Sequence, residues 1–453
     1  MSVADLLVIG GGIAGLAIAH DAAKAGLQVT VLEAADRVGG LLQRAELDGV
    51  AFDIGAESFA TRTSGVAGLI ADAGLPLAVV TPAPGGAHLL TTGPGGLLRA
   101  ALPRRTVLGI PADPFAADVV RILGADGSAR LAAERDLPPL SGADEPSLAE
   151  LVTERCGPLV LERLVEPLCR SVYSQPAQAV RLSRLHPALW RAAVSYGSLL
   201  AGADACATDD RAGAAVGGIN GGMWRLAAEL DRAAQDQGAR IRTGVSVLAV
   251  AADDGHVAVT TAGAVVRARH VVIATGAAAA RALLDPAGAQ TADTTPRVRV
   301  VAALVDNPAF DPRPVGSGVI VAPGVPSAAK ALTHANAKWP WLAETLPVGR
   351  HLFRLSARDA DAPGLETPAD VAREIALLTG TPVDAADVIA LTSAEYADAV
   401  SRAPVDERRL TELSDAGIHL AGAAVAGTGL ASVLPHARDL AASFSSTSSR
   451  STA

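Results

Sequence analysis

Three glycines, Gly10, Gly12 and Gly15, follow a short apolar run with the spacing G-x-G-x-x-G. Each position has a mechanical use. The first glycine permits a tight turn, the second lets the backbone approach a pyrophosphate, and the third lets a helix pack closely on a strand. Ile13 and Ala14 open that helix, whose free N–H groups and positive dipole end favour phosphate. Glu33 stands eighteen residues after Gly15, with Ala34 beside it. A carboxylate at that distance accepts hydrogen bonds from ribose hydroxyls and disfavours a 2′-phosphate. These residues are expected to grip a dinucleotide. A second group of residues raises a different chemistry. The chain has only three lysines, and two of them, Lys330 and Lys338, lie in KALTHANAKWPW with Trp339. Eight residues apart, they would share one face of an extended strand. Trp339 would offer a flat packing surface beside them.

The elements that must position these groups follow from the pattern. Residues 6–9 read as a strand, 13–25 as a helix ended by Gly26, and 28–32 as a second strand. This is a βαβ unit, and it places the glycines and Glu33 at one end of a parallel sheet. Arg37, Gly39 and Gly40 follow and are expected to extend the nucleotide site. A meander over 247–252, 256–260 and 264–267, beginning at Val247, leads into ARHVVIATG, a returning strand that ends at Thr275 and Gly276. Near the C-terminus, 418–421 reads as a strand and 430–443 as a helix. Between them lie Gly422 and the loop of Gly427, Thr428 and Gly429, with Leu430 opening the helix. Residues 76–100 are rich in Gly and Pro and read as loop, and 101–210 read as helical. Ser147 and Glu150 stand at capping-box spacing. Residues 224–237 read as a helix, and 295–305 and 350–357 alternate like strands.

The segments FDIGAESFATR, LGIPADP, LVEPLCRSVYS, KALTHANAKWP and LAGAAVAGTGL make the chain resemble the bacterial oxygen-dependent flavin coproporphyrinogen III oxidases. These are relatives of the protoporphyrinogen oxidases in the amine-oxidase-like FAD superfamily. The resemblance covers almost the whole length. It implies FAD as the cofactor, with the helix start at 428–430 directed at the flavin N1–C2=O edge. It implies an α/β fold: a discontinuous Rossmann-like FAD domain (1–75, 211–294 and 405–446), interrupted by a helical insertion (95–210) and a strand-rich α+β substrate domain (76–94 and 295–404). A tail over 447–453 is expected to be disordered. The implied reaction is oxidation of coproporphyrinogen III to coproporphyrin III in haem biosynthesis, with hydride passing from a meso carbon to flavin N5 and O2 reduced to H2O2. Three rounds complete it, and no general base is assigned. Lys330 or Lys338 would face the flavin or a substrate propionate. Arg62, Arg170, Tyr173 and Trp339 are the expected substrate contacts, with Arg181 a further propionate candidate. The chain departs from the family pattern at Thr63, where many members are basic, and also at Arg44 and Ala437.

Composition narrows the alternatives. Net charge is −9, and there is no basic run, so nucleic acid is not an expected partner. Cys156, Cys169 and Cys206 form no CxxC and no disulfide framework, which fits the cytoplasm; Cys156 and Cys169 read as core residues. Met1 runs straight into a strand-like segment, without the features of a secretory signal. The apolar stretches 6–19 and 416–435 are Gly-rich and read as buried elements, not membrane spans. Peripheral membrane contact and oligomeric state are left open. His334 has no second ligand at metal spacing, so no metal is expected. Protoporphyrinogen IX is the alternative substrate. An amine oxidase or carotenoid desaturase would share the fold, but the three tyrosines give little material for an aromatic cage. An escort-type binding protein would share it without redox chemistry.

Overall fold

The structure, a computed structural model, describes residues 4–61, 63–172, 175–207, 216–285, 297–358, 361, 363–397, 406–427 and 429–448. Strand β1 (Ala4–Ile9) is buried from Leu6 to Ile9, as a central parallel strand covered on both faces should be. It pairs in parallel with β2 (Val29–Leu32) on one side and β5 (Val265–Ile273) on the other. Arg240–Arg242 extends the sheet beyond β2, and Ile418–Leu420 extends it beyond β5. Helix α1 (Ile13–Lys24) is buried along most of its length. It packs with α2 (Trp224–Asp236) and α4 (Leu430–Ser448) in one apolar cluster. Ala437 is fully buried there, so its methyl group is part of the packing against α1. Strand β5 is one continuous element, not a meander strand followed by a separate returning strand. Its first part pairs antiparallel with His256–Thr261, and its last part joins the parallel sheet.

The second sheet has seven strands, in the order Val388–Ala397, β6 (Arg297–Asp306), β8 (Arg350–Ala357), β7 (Ala329–His334), Gly318–Val321, His88–Gly93 and Gly96–Ala101. The strands expected near 295–305 and 350–357 are therefore β6 and β8, antiparallel neighbours. The loop expected over 76–100 is corrected: its second half is a hairpin on the edge of this sheet. Its glycines and proline belong to the turn between Gly93 and Gly96, and they mask the short strands on either side. A hairpin of β3 (Arg44–Leu47) and β4 (Val50–Asp53) links the two sheets. Its Leu47, Val50 and Phe52 pack with Val300, Leu304 and Leu352 of the second sheet.

The region expected to be helical from 95 or 101 to 210 is helical only from Ala117 to Cys206: Gly96–Ala101 belongs to the second sheet, and Thr106–Val107 pairs with Ile110–Pro111. The capping box is present, with the Glu150 N–H donating to Ser147 Oγ and the Ser147 N–H to Glu150 Oε2. Leu161–Val165 forms a π-turn, a departure that the regular spacing of leucines does not reveal. Cys156 and Cys169 are buried core residues, and burial pushes both thiols up, out of the reactive range. Helix α4 runs to Ser448, so 447–448 are helical where disorder was expected; 449–453 lie outside the described residues. Among the described residues no helix is long and apolar enough to cross a membrane.

Candidate functional site

The loop between β1 and α1 is built as its glycines require. Gly10 has φ +105°, and a Cβ there would meet the Ala274 carbonyl oxygen at 2.9 Å. A Cβ on Gly15 would stand 2.0 Å from the Gly10 carbonyl oxygen, so helix and strand approach too closely for a larger residue. A Cβ on Gly12 would meet nothing within 4 Å. Gly12 caps α1 without a side-chain hydrogen bond, and the first turn holds no acidic residue. The first N–H groups of α1, at Ile13, Ala14 and Gly15, thus face space suited to an anion. Gly39 lies against this loop: its N–H donates to the Gly11 carbonyl at 2.8 Å, and it bridges Gly12 in parallel. Arg37 braces the same turn through the carbonyls of Val38 and Gly40.

Glu33 accepts from the Gly11 N–H at 2.6 Å and from the Ala35 N–H at 2.8 Å. The backbone therefore fixes its carboxylate, while each oxygen keeps a lone pair for a ligand hydroxyl. Glu33, Ala34, Gly10, Val247 and Thr275 line one cavity of about 290 Å³ at the end of the parallel sheet. Gly276 caps the helix Ala277–Leu284 next to it. Gly422, at φ +74°, approaches Ala14, with a Cβ there 3.5 Å from the Ala14 methyl. The Gly422–Gly427 turn therefore sits against the start of α1, and Gly429 and Leu430 follow at the start of α4. Thr428, Arg62 and Tyr173 lie outside the described residues. The open step at Gly12, the uncapped helix start and the fixed carboxylate together fit the pyrophosphate and ribose of FAD.

The lysines are arranged otherwise than their spacing implied. Strand β7 carries Lys330 but ends at His334, and Lys338 lies in the short helix α3 (Ala335–Lys338). The two do not share a strand face, because the chain leaves the extended conformation after His334. Lys330 is half-buried, with its amine pushed down by burial, and its carbonyl accepts from Ser171 Oγ in the helical region. Lys338 enters a buried charge cluster. Its Nζ lies 2.7 Å from Glu57 Oε1, and Arg354 NH1 on β8 lies 2.6 Å from Glu57 Oε2. Thr333 Oγ1 donates to the same carboxylate at 3.4 Å. Arg354 NH2 also donates to the carbonyls of Ile54 and Gly55. Burial pushes the Glu57 carboxyl up, but the Lys338 and Arg354 charges outweigh it and hold it at about 2.

Asp53, at the end of β4, accepts from the N–H groups of Met223 and Trp224 at 2.7 and 2.9 Å and so caps α2. Burial pushes its carboxyl up to about 6 against those bonds. Tyr396 donates to Gln43 at 3.0 Å, and burial raises its phenol to about 12. Trp339 is only 2% exposed. Its ring lies against Gly218, where a Cβ would meet it at 2.7 Å, and below the Lys338 ammonium at 5.1 Å. Trp339 therefore acts through packing and not as an exposed platform. Arg170 pairs with Glu166 on its own helix. Asp53, Glu57, Thr333, Arg354 and Tyr396 were missed by the sequence analysis. The one local signal was Arg354 itself, a charge between Phe353 and Leu355 in an apolar strand.

Thr63 has a structural partner. Pro435 sits inside α4 without an N–H, which leaves the Ala431 carbonyl without its helical donor. Thr63 Oγ1 donates to that carbonyl at 3.2 Å.

Comparison with known proteins gives a consistent family. The model of flavin-containing amine oxidoreductases matches residues 13–323. A coproporphyrinogen III oxidase of Mycobacterium leprae is 32% identical over 377 residues, covering 79% of this chain and 78% of its own. Another, of Mycobacterium bovis, is 29% identical over 409 residues, covering 86% and 85%. A solved structure from Exiguobacterium sp. 255-15, assigned as a protoporphyrinogen oxidase, superposes with a TM-score of 0.82 at 23% identity, over 99% of this chain and 100% of its own. At that identity it speaks to the fold alone.

Proposed function

The chain belongs to the flavin-containing amine oxidoreductases and is an FAD-dependent oxidoreductase, and on that premise we propose that it oxidises coproporphyrinogen III to coproporphyrin III, in haem biosynthesis, with O2 as acceptor. The observation that carries this reading is the similarity to coproporphyrinogen III oxidases over most of both chains. In this reading the N–H groups at the start of α1 and the Gly39–Gly40 turn hold the pyrophosphate, and Glu33 holds the ribose. Val247 and Thr275 wall the adenosine side, and the stretch from Gly422 to Leu430 faces the ring system. FAD, when bound, supplies the acceptor for an electron pair.

Each round removes a meso hydrogen with its electron pair and one proton; over three rounds two of the protons leave pyrrole nitrogens and the third leaves the remaining meso carbon. O2 takes up each pair of hydrogens as H2O2, and three rounds consume three O2 for one porphyrin. Glu57, held near 2 by two cations, is a poor base, so the pyrrole proton passes to water. The protein's work is then to position the substrate and to supply charge. Lys338 supplies fixed positive charge at the site. Lys330, at the seam between the helical region and the second sheet, serves the substrate carboxylates, as do Arg62, Arg170 and Tyr173. All three cysteines are free thiols, in keeping with a cytoplasmic enzyme.

The test is to mix the purified, air-equilibrated protein with coproporphyrinogen III or protoporphyrinogen IX. Porphyrin fluorescence and H2O2 are followed against a blank without enzyme. Faster, peroxide-matched turnover of coproporphyrinogen supports the proposal. Faster turnover of protoporphyrinogen replaces the substrate, and no rate above autoxidation with either refutes the assignment.

A further inference from the structure

We propose that Glu57 is a positioning residue that holds Lys338 as an oriented, charged ammonium and registers it to the dinucleotide grip. The inference rests on the reading that Lys338 serves the oxidation site. Its support is geometric. The loop carrying Glu57 is bonded to the segment that follows Gly40, with the Ala56 N–H donating to the Leu41 carbonyl at 2.8 Å and the Ile54 N–H to Gln43 at 3.0 Å. That segment is in turn tied to Gly11 and Gly12 through Gly39. Only hydrogen bonds and a few residues of chain separate the pyrophosphate grip from the Glu57 carboxylate.

From there the carboxylate divides its two oxygens between two cations on different elements, Lys338 on α3 and Arg354 on β8. The three side chains are 16%, 13% and 9% exposed for Lys338, Glu57 and Arg354. Two buried cations sharing one carboxylate would repel each other if it were lost. Arg354 Nε is a buried donor with no hydrogen-bond partner among the described residues. Arg354 thus anchors the loop through Ile54 and Gly55, and Glu57 carries that anchoring to the lysine. Around the cluster stand Asp53 at the end of β4, whose carboxyl feels the charges of both Arg354 and Glu57, and Tyr396 and Arg37 beyond it.

The chain's three lysines make the test direct. The rate of acylation of each amine by a small anhydride at fixed pH is read by peptide mapping in the parent and in Glu57→Gln. Losing the Glu57 oxygen 2.7 Å from Lys338 Nζ frees the amine from its partner and lets the reagent reach it. We expect Lys338 to gain at least about tenfold in reactivity while Lys24 and Lys330 stay within twofold. In the same variant kcat falls while KM stays within twofold, a split that loosened packing alone does not produce. Equal gains at all three lysines, or no gain at Lys338, overturn the proposal. If Glu57→Gln does not fold, Glu57→Asp reads the same quantity. It keeps the charge but shortens the reach, and a gain at Lys338 below twofold overturns the proposal there. Failure to oxidise a porphyrinogen would refute the function and leave the acylation result standing.

Discussion

Two glutamates in this chain are buried against an arginine, and they differ in what completes them. Glu134 is fully buried in the helical region. It accepts from Arg155 Nε at 2.6 Å, from the Leu199 N–H at 2.8 Å and from Ser198 Oγ at 2.5 Å. Arg155 spends its other groups on the carbonyls of Pro138 and Gly197. One anion meets one cation, and backbone groups use up the rest, so the cluster is closed on the protein. Glu57 instead serves two cations, and Arg354 Nε is a buried donor without a partner among the described residues. A closed pair ties elements together. An arginine with a donor left over, one loop away from the Gly39–Gly40 turn, has a group to offer something else. Burial and ion pairing alone do not separate the two cases; the unspent donor does.

The difference sets the expected response to mutation. The largest effect falls on the closed cluster: Glu134→Gln strands Arg155 and is expected to cost about 3–5 kcal/mol of stability, read from urea midpoints. The kcat of the protein that remains folded should be unchanged. Next comes the pH dependence, which belongs to the other cluster. Asp53 has its folded carboxyl raised to about 6 from 3.8. Its contribution is present in full below about pH 4 and is lost as pH rises through 6. Parent stability relative to Asp53→Asn should therefore fall by about 2–3 kcal/mol between pH 4 and 7. Glu57 works in the opposite sense, since its folded carboxyl is held at about 2 against 4.5. Its contribution is present above pH 4.5 and is lost as pH falls toward 2. A smaller loss of about 1–3 kcal/mol is expected for Arg354→Met, because Lys338 still neutralises Glu57. Here kcat should fall more than tenfold, the reverse of the Glu134→Gln signature. Equal stability losses for Glu134→Gln and Arg354→Met, each with kcat intact, would erase the distinction. The smallest effect is Thr63→Val, which removes the donor to the Ala431 carbonyl and should cost about 1 kcal/mol in thermal or urea unfolding.

The part of the site legible in the sequence was the part made by neighbours in the chain. Gly10, Gly12, Gly15 and Glu33 fall within one βαβ unit, and their spacing carries the geometry with it. Val247 and Thr275 line the same cavity as Glu33, because they begin or follow strands that must return to the same sheet edge. The charge cluster was not legible, since Glu57, Thr333, Lys338 and Arg354 meet only through the pairing of β7 with β8 and the loop from β4. The interest of the two lysines was visible, but their geometry was not. A shared strand face assumed an extended chain through His334, where it turns into α3. The hairpin at His88–Ala101 was hidden for a related reason: strongly turn-forming residues dominate a short segment whose strands gain their stability from the rest of the sheet.

In the proposed reaction the bound flavin takes electrons from a porphyrinogen, with Lys338 as a fixed charge. The most direct measurement mixes the flavin-loaded protein with coproporphyrinogen III without oxygen, and follows flavin absorbance near its visible maximum in the parent and in Lys338→Met. The parent flavin is expected to bleach, with porphyrin formed in proportion, and the variant to bleach at least about tenfold more slowly. A parent flavin that stays oxidised would contradict the function, and equal rates in the two proteins would contradict the role given to Lys338.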